Sequence, residues 1–421
     1  MHLSPWGMTP PEPGVTAPVV LQAVNALWEP GAIPDPYGRY EAVRAHAPEG
    51  LLFLPEWNAW FALGHAANSA VLRSPAALSG TWLSQVPDSQ VQGAQVSDGL
   101  KLLRHMMLWH NGASHTRLRG LVQKAFTPKV VEEQRELVRE LLRDLLAGPS
   151  GEVDIVATLA HPLPARVIMK MLGLKGADEE KFLRWSQSVA ELIGGAGQSP
   201  ELLARIDADA REMRGFFRDL ADELRLNPQP GLLSALAAAE DDGQHLSGDE
   251  LLSNAVLLLT AGHETTSNLI PGGLLELHRQ PQAWAALVDN PTHPNVADEL
   301  LRVVSPVQFD GRVLGAGLQV EGHTLHAGQG VQLMLGAANR DPQVFPHPDR
   351  IDWDRPNSAR HLAFAAGPHY CLGASLARLE IAEVFAELAR RFPGLKVTQP
   401  QPPYKPNPVL RGPLELHVTL H

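Results

Sequence analysis

The sequence predicts a mainly α-helical fold with a minor β-sheet region. Apolar residues recur at helical spacing in several long segments, whereas strand-like alternation is short and occurs only after residue 317. No repeat of about 20 to 50 residues and no long linker divides the 421 residues. We therefore expect one large unit with a helical core and a small sheet.

The N-terminus is rich in proline, with five prolines in residues 1–20. Because proline lacks a backbone N–H and disfavours the interior of a helix, this composition favours an extended or mobile leader. We accordingly assign residues 1–20 to a Pro-rich leader and residues 21–421 to a single domain.

Two later segments have the pattern of amphipathic helices. Residues 132–146 repeat leucine at helical spacing with charged residues on the opposite face, and residues 202–226 do the same. Both segments are predicted to pack one apolar face on the core.

A third helix is predicted to be the longest. Ser247 can cap its N-terminus, with Glu250 as the partner in a capping box, and the helix should end near His278, before Pro281. It would contain about 32 residues and span roughly 48 Å. Because residues 254–270 are apolar on nearly every side, we expect this helix to run through the middle of the protein.

Strand signals are confined to residues 318–320, 330–335 and 414–420. The last of these segments alternates apolar and polar residues, which is typical of a half-buried strand. Three short strands in so long a chain predict only a small sheet.

The charge balance argues against one broad class of function. Lys and Arg total 35 against 46 Asp and Glu, a net charge of −11, and an acidic chain is a poor general binder of nucleic acid. Charged residues make up only 19% of the chain. That low share favours a large buried interior over disorder.

Cysteine usage and the N-terminus bear on the cellular compartment. Cys371 is the only cysteine, so no intrachain disulfide can form. No Lys or Arg precedes Arg39, as a signal or transit peptide would require. The apolar stretch Val15–Trp28 is shorter than the ~18 residues that span a bilayer. We therefore expect a cytoplasmic protein without a membrane span.

The segment Phe364–Gly373, FAAGPHYCLG, places Cys371 in a turn that contains glycine and proline, just before an amphipathic helix. Backbone N–H groups and the dipole at a helix N-terminus favour a thiolate, so we expect the pKa of this cysteine to be lowered. Taken without its context, a single cysteine is more often a small buried apolar residue.

The centre of the long helix contains an unusual polar group, Ala261-Gly262-His263-Glu264-Thr265-Thr266. One interpretation is a hydrophilic helix–helix contact, because threonine can return its hydroxyl to a carbonyl one turn back. A zinc-protease H-E-x-x-H motif is excluded, because the second histidine is replaced by Ser267.

Phe364, Gly367, Cys371 and Gly373 match the F-x-x-G-x-x-x-C-x-G loop, and the chain thereby resembles the cytochromes P450, the haem-thiolate monooxygenases. The resemblance implies the P450 fold, with haem b (heme, iron protoporphyrin IX) between the long central helix and the helix after the cysteine. It implies that Cys371 is the axial thiolate ligand of the iron. Ala365 departs from the family pattern, which usually has glycine there.

The same resemblance assigns roles to the polar group of the central helix. Glu264 and Thr265 correspond to an acid–alcohol pair that relays protons to iron-bound oxygen, which requires a carboxyl and a hydroxyl together in a dry pocket. Ala261 and Gly262 would leave room for O2 and substrate.

The resemblance also implies two sets of supporting residues. Glu299 and Arg302, an E-x-x-R pair at i and i+3, would form a structural cluster completed by Arg355. On spacing alone such a pair is more often an ordinary surface ion pair. The haem propionates would be bound by four residues that could otherwise be solvated surface groups: His115, Arg119, Arg312 and His369.

The function implied is insertion of one oxygen atom from O2 into an apolar small molecule, most simply C–H hydroxylation, by a monomeric enzyme. Electrons would come from a ferredoxin and an NAD(P)H-dependent ferredoxin reductase, since no G-x-G-x-x-G loop or flavin domain is visible. We expect the donor to dock on the cysteine side through Arg117, Arg360 and Arg378.

The substrate pocket is expected from position in the family and from its mostly apolar segments. It should draw on residues 81–107, 182–197, Ala261, 306–309 and 409–410. Nothing in these segments names the substrate.

Two other functions remain open on the sequence. A peroxide-driven haem hydroxylase would not need the acid–alcohol pair, and a haem-binding carrier or gas sensor without turnover would have little use for it. The presence of both Glu264 and Thr265 favours the oxygen-dependent monooxygenase.

Overall fold

The structure, a computed structural model, describes residues 16–47, 49–80, 98–124, 126–174, 179–194, 199–238, 240–241 and 244–421. Of the leader predicted for residues 1–20, residues 1–15 lie outside the described residues. The first helix begins at Pro18, within the last residues assigned to the leader. A proline suits that position, because the first turn of a helix has no use for its missing N–H.

Helices dominate the described residues, as the sequence predicts. They are α1 (Pro18–Asn25), α2 (Tyr37–Arg44), α3 (His65–Arg73), α4 (Asp98–Arg104), α5 (Gly112–Gln123), α6 (Pro128–Glu132), α7 (Arg135–Leu145), α8 (Pro162–Leu172), α9 (Glu179–Ile193), α10 (Pro200–Leu226), α11 (Leu232–Ala238), α12 (Gly248–Arg279), α13 (Pro281–Asp289), α14 (Val296–Val304), α15 (Leu335–Ala338) and α16 (Ala374–Arg391).

The predicted long helix is α12, and its bounds confirm the prediction. Ser247 Oγ accepts the N–H of Glu250 at 3.2 Å while Glu250 Oε2 accepts the N–H of Ser247 at 2.9 Å, which completes the capping box. The helix continues through Pro271 and is buried along most of its length. Its first half packs in one apolar core with α8, α9 and α10, and its second half in another with α14 and α16.

The strands are β1 (Leu51–Leu54), β2 (Ala59–Ala62), β3 (Ala77–Leu78), β4 (Gly151–Asp154), β5 (Glu240–Asp241), β6 (Gln244–His245), β7 (Asp310–Leu314), β8 (Leu318–Val320), β9 (His323–Leu325), β10 (Gly330–Leu333), β11 (Lys396–Val397) and β12 (His417–Leu420). The three predicted strands are present as β8, β10 and β12, with β10 and β12 shorter than predicted. The sequence patterns missed β1 and β2, because short apolar runs do not distinguish strand from helix.

The largest sheet has the order β1-β2-β10-β7-β3. Strand β10 runs parallel to β2, with Val331 opposite Trp60, and antiparallel to β7, with Val331 also opposite Arg312. A second sheet of order β11-β12-β4 joins the C-terminus to the middle of the chain. Arg312 therefore lies in an inner strand of the large sheet, paired with Val331 of β10.

None of the helices in the described residues is long and apolar enough to cross a membrane.

Candidate active site

The Cys371 loop, Phe364–Gly373, is closed by its own backbone. The N–H of Cys371 donates to the carbonyl of Phe364 at 3.0 Å, and Tyr370 donates to Gly367 at the same distance. Helix α16 begins directly after Gly373. The predicted helix N-terminus therefore stands beside the cysteine.

Two residues of the loop have left-handed backbone. Gly367 has φ +69°, and a Cβ there would lie 2.4 Å from the carbonyl oxygen of Leu72 in α3, so only glycine fits. Ala365 has φ +55°. The alanine adopts the conformation that glycine would adopt freely, at a cost of about 1 kcal/mol.

The half-buried thiol of Cys371 lies among groups that act on its charge in opposite directions. Burial raises its pKa, whereas a hydrogen bond from the backbone N–H of Gly373 and the charges of Arg119 and Arg378 lower it, and the net pKa is raised. The sequence-based expectation that the helix N-terminus lowers the pKa of Cys371 was therefore wrong for the protein without a bound metal ion. A metal ion bound to the sulfur would remove the proton outright.

The four residues expected to bind the propionates lie together. The rings of His115 and His369 are 4.1 Å apart, and His369 lies within range of the charges of Arg312 and Arg119. Burial, reinforced by those cations, lowers the pKa of His369 to about 3. Arg312 Nη1 donates to Asp310 Oδ1 at 2.6 Å. Among these groups, Asp310 supplies the one carboxylate for two guanidiniums and two imidazoles, so hydrogen-bond donors outnumber carboxylates here.

This donor set fits haem b. Two propionate carboxylates would meet the excess of cations and imidazole donors, and the single thiol of Cys371 would supply the axial ligand. Arg119 connects the two parts, because its Nη2 donates to the carbonyl of Tyr370 at 2.7 Å and its charge acts on Cys371. No cluster of three or more His, Cys, Asp or Glu able to hold a bare metal ion occurs in the described part of the chain.

On the central helix, one short stretch is open. Ala261 is exposed while Gly262 and Thr265 are half-buried, in a helix whose neighbouring residues are buried. Thr265 Oγ1 donates to the carbonyl of Ala261 at 3.1 Å, the local bond that the alternative interpretation anticipated. Ala261 and Thr265, four residues apart, share one face of the helix, and this face is not fully covered by neighbouring side chains.

Gly262 also lies against a neighbouring helix. A Cβ at this position would lie 3.2 Å from Ile168 Cγ1 of helix α8. Packing of α12 against α8 therefore gives a second reason for a small residue here, and the room for O2 and substrate stays a prediction.

Glu264 is buried but does not contact the Thr265 hydroxyl. Its Oε1 accepts Lys405 Nζ at 2.5 Å, and Lys405 also donates to Asn268 Oδ1 at 3.0 Å. Burial alone would raise the pKa of Glu264, but the ammonium of Lys405 and the neighbouring His263 hold it below its usual value. The sequence patterns missed Lys405, since a partner 141 residues away has no spacing signal. They also missed Asn268, although it lies one helical turn after Glu264.

Two histidines, the buried His263 and the half-buried His161, extend the polar group beside Glu264. His263 Nδ1 lies 3.0 Å from Ser186 Oγ, and the ring of His263 is 5.7 Å from that of His161. The Nε2 atoms of both rings lack a hydrogen-bond partner among the described residues. Burial lowers the pKa of His263 to about 4, so this ring is neutral at neutral pH.

The E-x-x-R pair forms a buried cluster. Arg302 Nε and Nη2 each donate to Glu299 at 2.8 Å, and both side chains are 0% exposed. Arg355 Nε donates to Glu299 Oε1 at 3.0 Å, which is the third contact expected. The cluster is not an ordinary surface ion pair.

The three arginines expected to dock an electron donor differ in availability. Arg117 is ion-paired with Glu250 at the start of α12, and Arg378 Nε donates to Asp298 Oδ1 at 2.6 Å. Arg360 is exposed, with no ion pair among the described residues. The structure therefore does not bring Arg117 and Arg378 together as free surface charges.

Of the segments expected to line the substrate pocket, residues 81–97 and 195–197 lie outside the described residues. Residues 306–309 and 409–410 pair with each other, because Gln308 N–H donates to the carbonyl of Val409 at 2.8 Å and Val307 bridges to Leu410. Leu410 also connects to α12, since its carbonyl lies 3.5 Å from Asn268 Nδ2.

Comparisons with known proteins agree with this geometry. The cytochrome P450 family model matches residues 100–420. The chain is 36% identical over 410 residues to the cytochrome P450 monooxygenase PikC of Streptomyces venezuelae, covering 95% of this chain and 94% of that protein. It is 35% identical over 376 residues to the 6-deoxyerythronolide B hydroxylase of Saccharopolyspora erythraea, covering 86% and 90%. The ligand-free structure of CYP164A2 from Mycobacterium smegmatis superposes with a TM-score of 0.83 at 36% identity, covering 95% and 100%.

Proposed function

The chain belongs to the cytochrome P450 family and is a monooxygenase of that family, and from this premise we propose that it hydroxylates an apolar small molecule. One oxygen atom of O2 enters a C–H bond, and the other leaves as water with two electrons and two protons. The observation that carries the proposal is Cys371 at the start of α16, with Arg119 and the Gly373 N–H acting on its sulfur.

Family membership implies a haem-thiolate centre, and haem, when bound, supplies the activation of O2. In our proposal Cys371 ligates the iron, while Phe364, Gly367 and Gly373 shape the loop around it. The propionates are bound by four residues: His115, Arg119, Arg312 and His369.

Proton delivery is assigned to Thr265 and Glu264. The Thr265 hydroxyl lies on the open face of α12, where it can pass a proton to the reacting oxygen. Glu264 is held ionised by Lys405, so it can relay a proton to Thr265 only after its bond to Lys405 Nζ is released and the carboxylate has taken up a proton from outside, which its burial then favours. Ala261 keeps this face free of a large side chain.

Replacing Thr265 tests this assignment. Thr265→Ala should retain haem and substrate binding but divert electrons from product into hydrogen peroxide, because the hydroxyl that passes the proton is gone. The measurement is the ratio of product formed to NAD(P)H consumed. Thr116→Ala is the matched control, since Thr116 makes the same hydroxyl-to-carbonyl bond, 3.0 Å to Gly112, on exposed α5. Full coupling in Thr265→Ala would rule out the relay.

Electrons are proposed to come from a ferredoxin and its NAD(P)H-dependent reductase in the cytoplasm. The docking face is the outer side of the Cys371 loop, where Arg360 is exposed and Tyr370 is 39% exposed. Arg73, also exposed, lies beside Gly367 at the end of α3. These residues support docking of an acidic partner better than Arg117, which is held by Glu250.

The absorption spectrum of the dithionite-reduced protein with carbon monoxide tests the proposed centre. A strongly red-shifted Soret band in the wild type, lost in Cys371→Ala, is expected for thiolate-ligated haem. Apolar compounds are then screened by the spin-state shift and by oxygenated product in the presence of a ferredoxin system. A shorter-wavelength band in the wild type, or no bound haem, would overturn the proposal.

A further inference from the structure

A second carboxylate of helix α14, Asp298, contacts residues on either side of the Cys371 loop. Its Oδ1 accepts Arg378 Nε at 2.6 Å and lies 3.1 Å from His361 Nε2. The side chain of Asp298 is 16% exposed and that of Arg378 is 31% exposed. Solvent therefore screens this pair less than it screens an exposed pair.

The hydrogen bonds around His361 define its protonation state. The backbone N–H of Ala363 donates to His361 Nδ1 at 3.1 Å, so Nδ1 carries no proton and Nε2 donates to Asp298. Burial lowers the pKa of His361, which agrees with a neutral ring. Burial raises the pKa of Asp298, but its bonds to His361 and Arg378 bring it below the usual value. Within this cluster the negative charge of Asp298 is therefore offset by Arg378 alone.

Asp298 holds the guanidinium of Arg378 against the loop. The Cζ atom of Arg378 lies 4.7 Å from the centre of the Phe364 ring, and its Nη1 lies 3.3 Å from the Tyr370 hydroxyl. Phe364 and Tyr370 both belong to the Cys371 loop. The charge of Arg378 is close enough to act on the sulfur of Cys371.

We propose that Asp298 is a positioning residue that sets the reduction potential of the haem iron by offsetting the charge of the Arg378 guanidinium that it binds. This inference rests on the proposed function, because it requires haem ligated by Cys371. Reduction brings one electron from the external donor to the iron, so a nearby positive charge favours it and a negative charge opposes it. The charges of Asp298 and Arg378, paired at 2.6 Å, therefore act on the reduction in opposite directions.

The test is the midpoint potential of the ferric/ferrous couple, measured by dye-equilibrated titration of the haem-loaded protein. Asp298→Asn should raise the potential, Arg378→Gln should lower it, and the double variant should return near the wild-type value. For scale, a tenfold change in the equilibrium constant for reduction corresponds to ~59 mV for one electron. Arg218→Gln and Asp219→Asn are the matched controls, an exposed pair 3.5 Å apart that should leave the potential unchanged.

Opposite shifts that cancel in the double variant would support the proposal, because a merely structural role would not give shifts of opposite sign. Shifts of the same sign, or unchanged potentials, would overturn it. If Asp298→Asn does not retain haem, Arg378→Gln decides: a lower potential supports the proposal and an unchanged one overturns it. The carbon monoxide spectrum of the wild type is recorded first. A spectrum without the red-shifted Soret band would reject the proposed function itself. A spectrum with that band, together with unchanged potentials, would reject only this inference.

Discussion

Glu299 and Glu264 are both buried carboxylates paired with a cation, yet their surroundings differ. Glu299, on α14 beside the Cys371 loop, accepts two hydrogen bonds from Arg302, one from Arg355 Nε at 3.0 Å and one from the N–H of Asp352 at 2.9 Å. The remaining donors of Arg302 reach backbone carbonyls, including that of Asn339 at 3.2 Å. The cluster leaves few polar groups unmatched.

Glu264, on the central helix, has one short bond, from Lys405 Nζ at 2.5 Å. Asn268 Nδ2 lies 3.4 Å away, and His263 Nδ1 is 3.9 Å from the other carboxyl oxygen, beyond hydrogen-bond distance. Lys405 itself is 12% exposed and belongs to the C-terminal segment.

The difference separates a structural carboxylate from the one to which we assign proton transfer in our proposal. Moving Glu299 or changing its charge breaks four hydrogen bonds in a buried cluster, which makes it a fixed part of the fold. Moving Glu264 breaks one short bond to a side chain at the edge of the core. Burial alone therefore does not identify a functional carboxylate, and the number of its donors is the better guide.

The largest expected effect is that of Glu299→Gln. Removing the charge leaves Arg302 and Arg355 buried without their partner, which should lower the free energy of unfolding by about 3–5 kcal/mol. Urea unfolding measures the loss. Glu136→Gln, in the exposed Glu136–Arg143 pair 3.0 Å apart, should change it by less than about 1 kcal/mol. Equal losses of unfolding free energy in Glu299→Gln and Glu136→Gln would show that the Glu299 cluster contributes no more than an exposed ion pair.

A third buried carboxylate, Glu380 of α16, extends the comparison. Neither of its oxygens has a hydrogen-bond partner among the described residues. Burial raises its pKa to about 8, although the nearby Thr266 hydroxyl acts in the opposite direction. Without a cation, this carboxylate is therefore expected to be neutral near pH 7.

The pH dependence of stability tests Glu380. Because its pKa is raised in the folded protein, its contribution to stability is fully present below about pH 4.5 and is lost as the pH rises toward 8. Glu380→Gln, which stays neutral, should match the wild type near pH 5 and be more stable at pH 8 in urea unfolding. Glu387→Gln on the same helix, from the pair with Arg391, should leave the pH dependence unchanged. No gain at pH 8 in Glu380→Gln would show that Glu380 is charged and paired.

The smallest expected effect is that of Lys405→Met. Without the ammonium, burial dominates and the pKa of Glu264 rises, and each tenfold gain in proton affinity corresponds to roughly 1.4 kcal/mol. The stability of the variant should therefore fall as the pH rises from about 4.5 to 8, a range in which the lowered pKa of wild-type Glu264 causes no such loss. Urea unfolding of Lys405→Met, and of the double variant Lys405→Met with Glu264→Gln, shows whether Glu264 causes this pH dependence of stability. Loss of the pH dependence in the double variant is expected, and its persistence there would assign it to another group.

Local patterns allowed much of the fold to be predicted. Helix α12 was predicted from a capping box and a proline after its end, because caps act within a few residues. Of the later strands, β8, β10 and β12 were predicted and β7, β9 and β11 were missed, and the turn around Cys371 was predicted from its glycine and proline. Strands β1 and β2 were missed, because pairing across the sheet, rather than local preference, decides the state of a short apolar run.

The sequence by itself determined the residues that lie close in the chain: the Cys371 loop, the Glu299–Arg302 pair and the open face at Ala261 and Thr265. Only the tertiary structure decided which distant groups meet them, such as Lys405 with Glu264 and Asp298 with Arg378. The physical reason is that hydrogen bonding and helical periodicity repeat over a few residues, whereas charge pairing and burial depend on elements brought together by packing. For that reason the net pKa of Cys371, set by burial as much as by its helix, could not be read from its position in the chain.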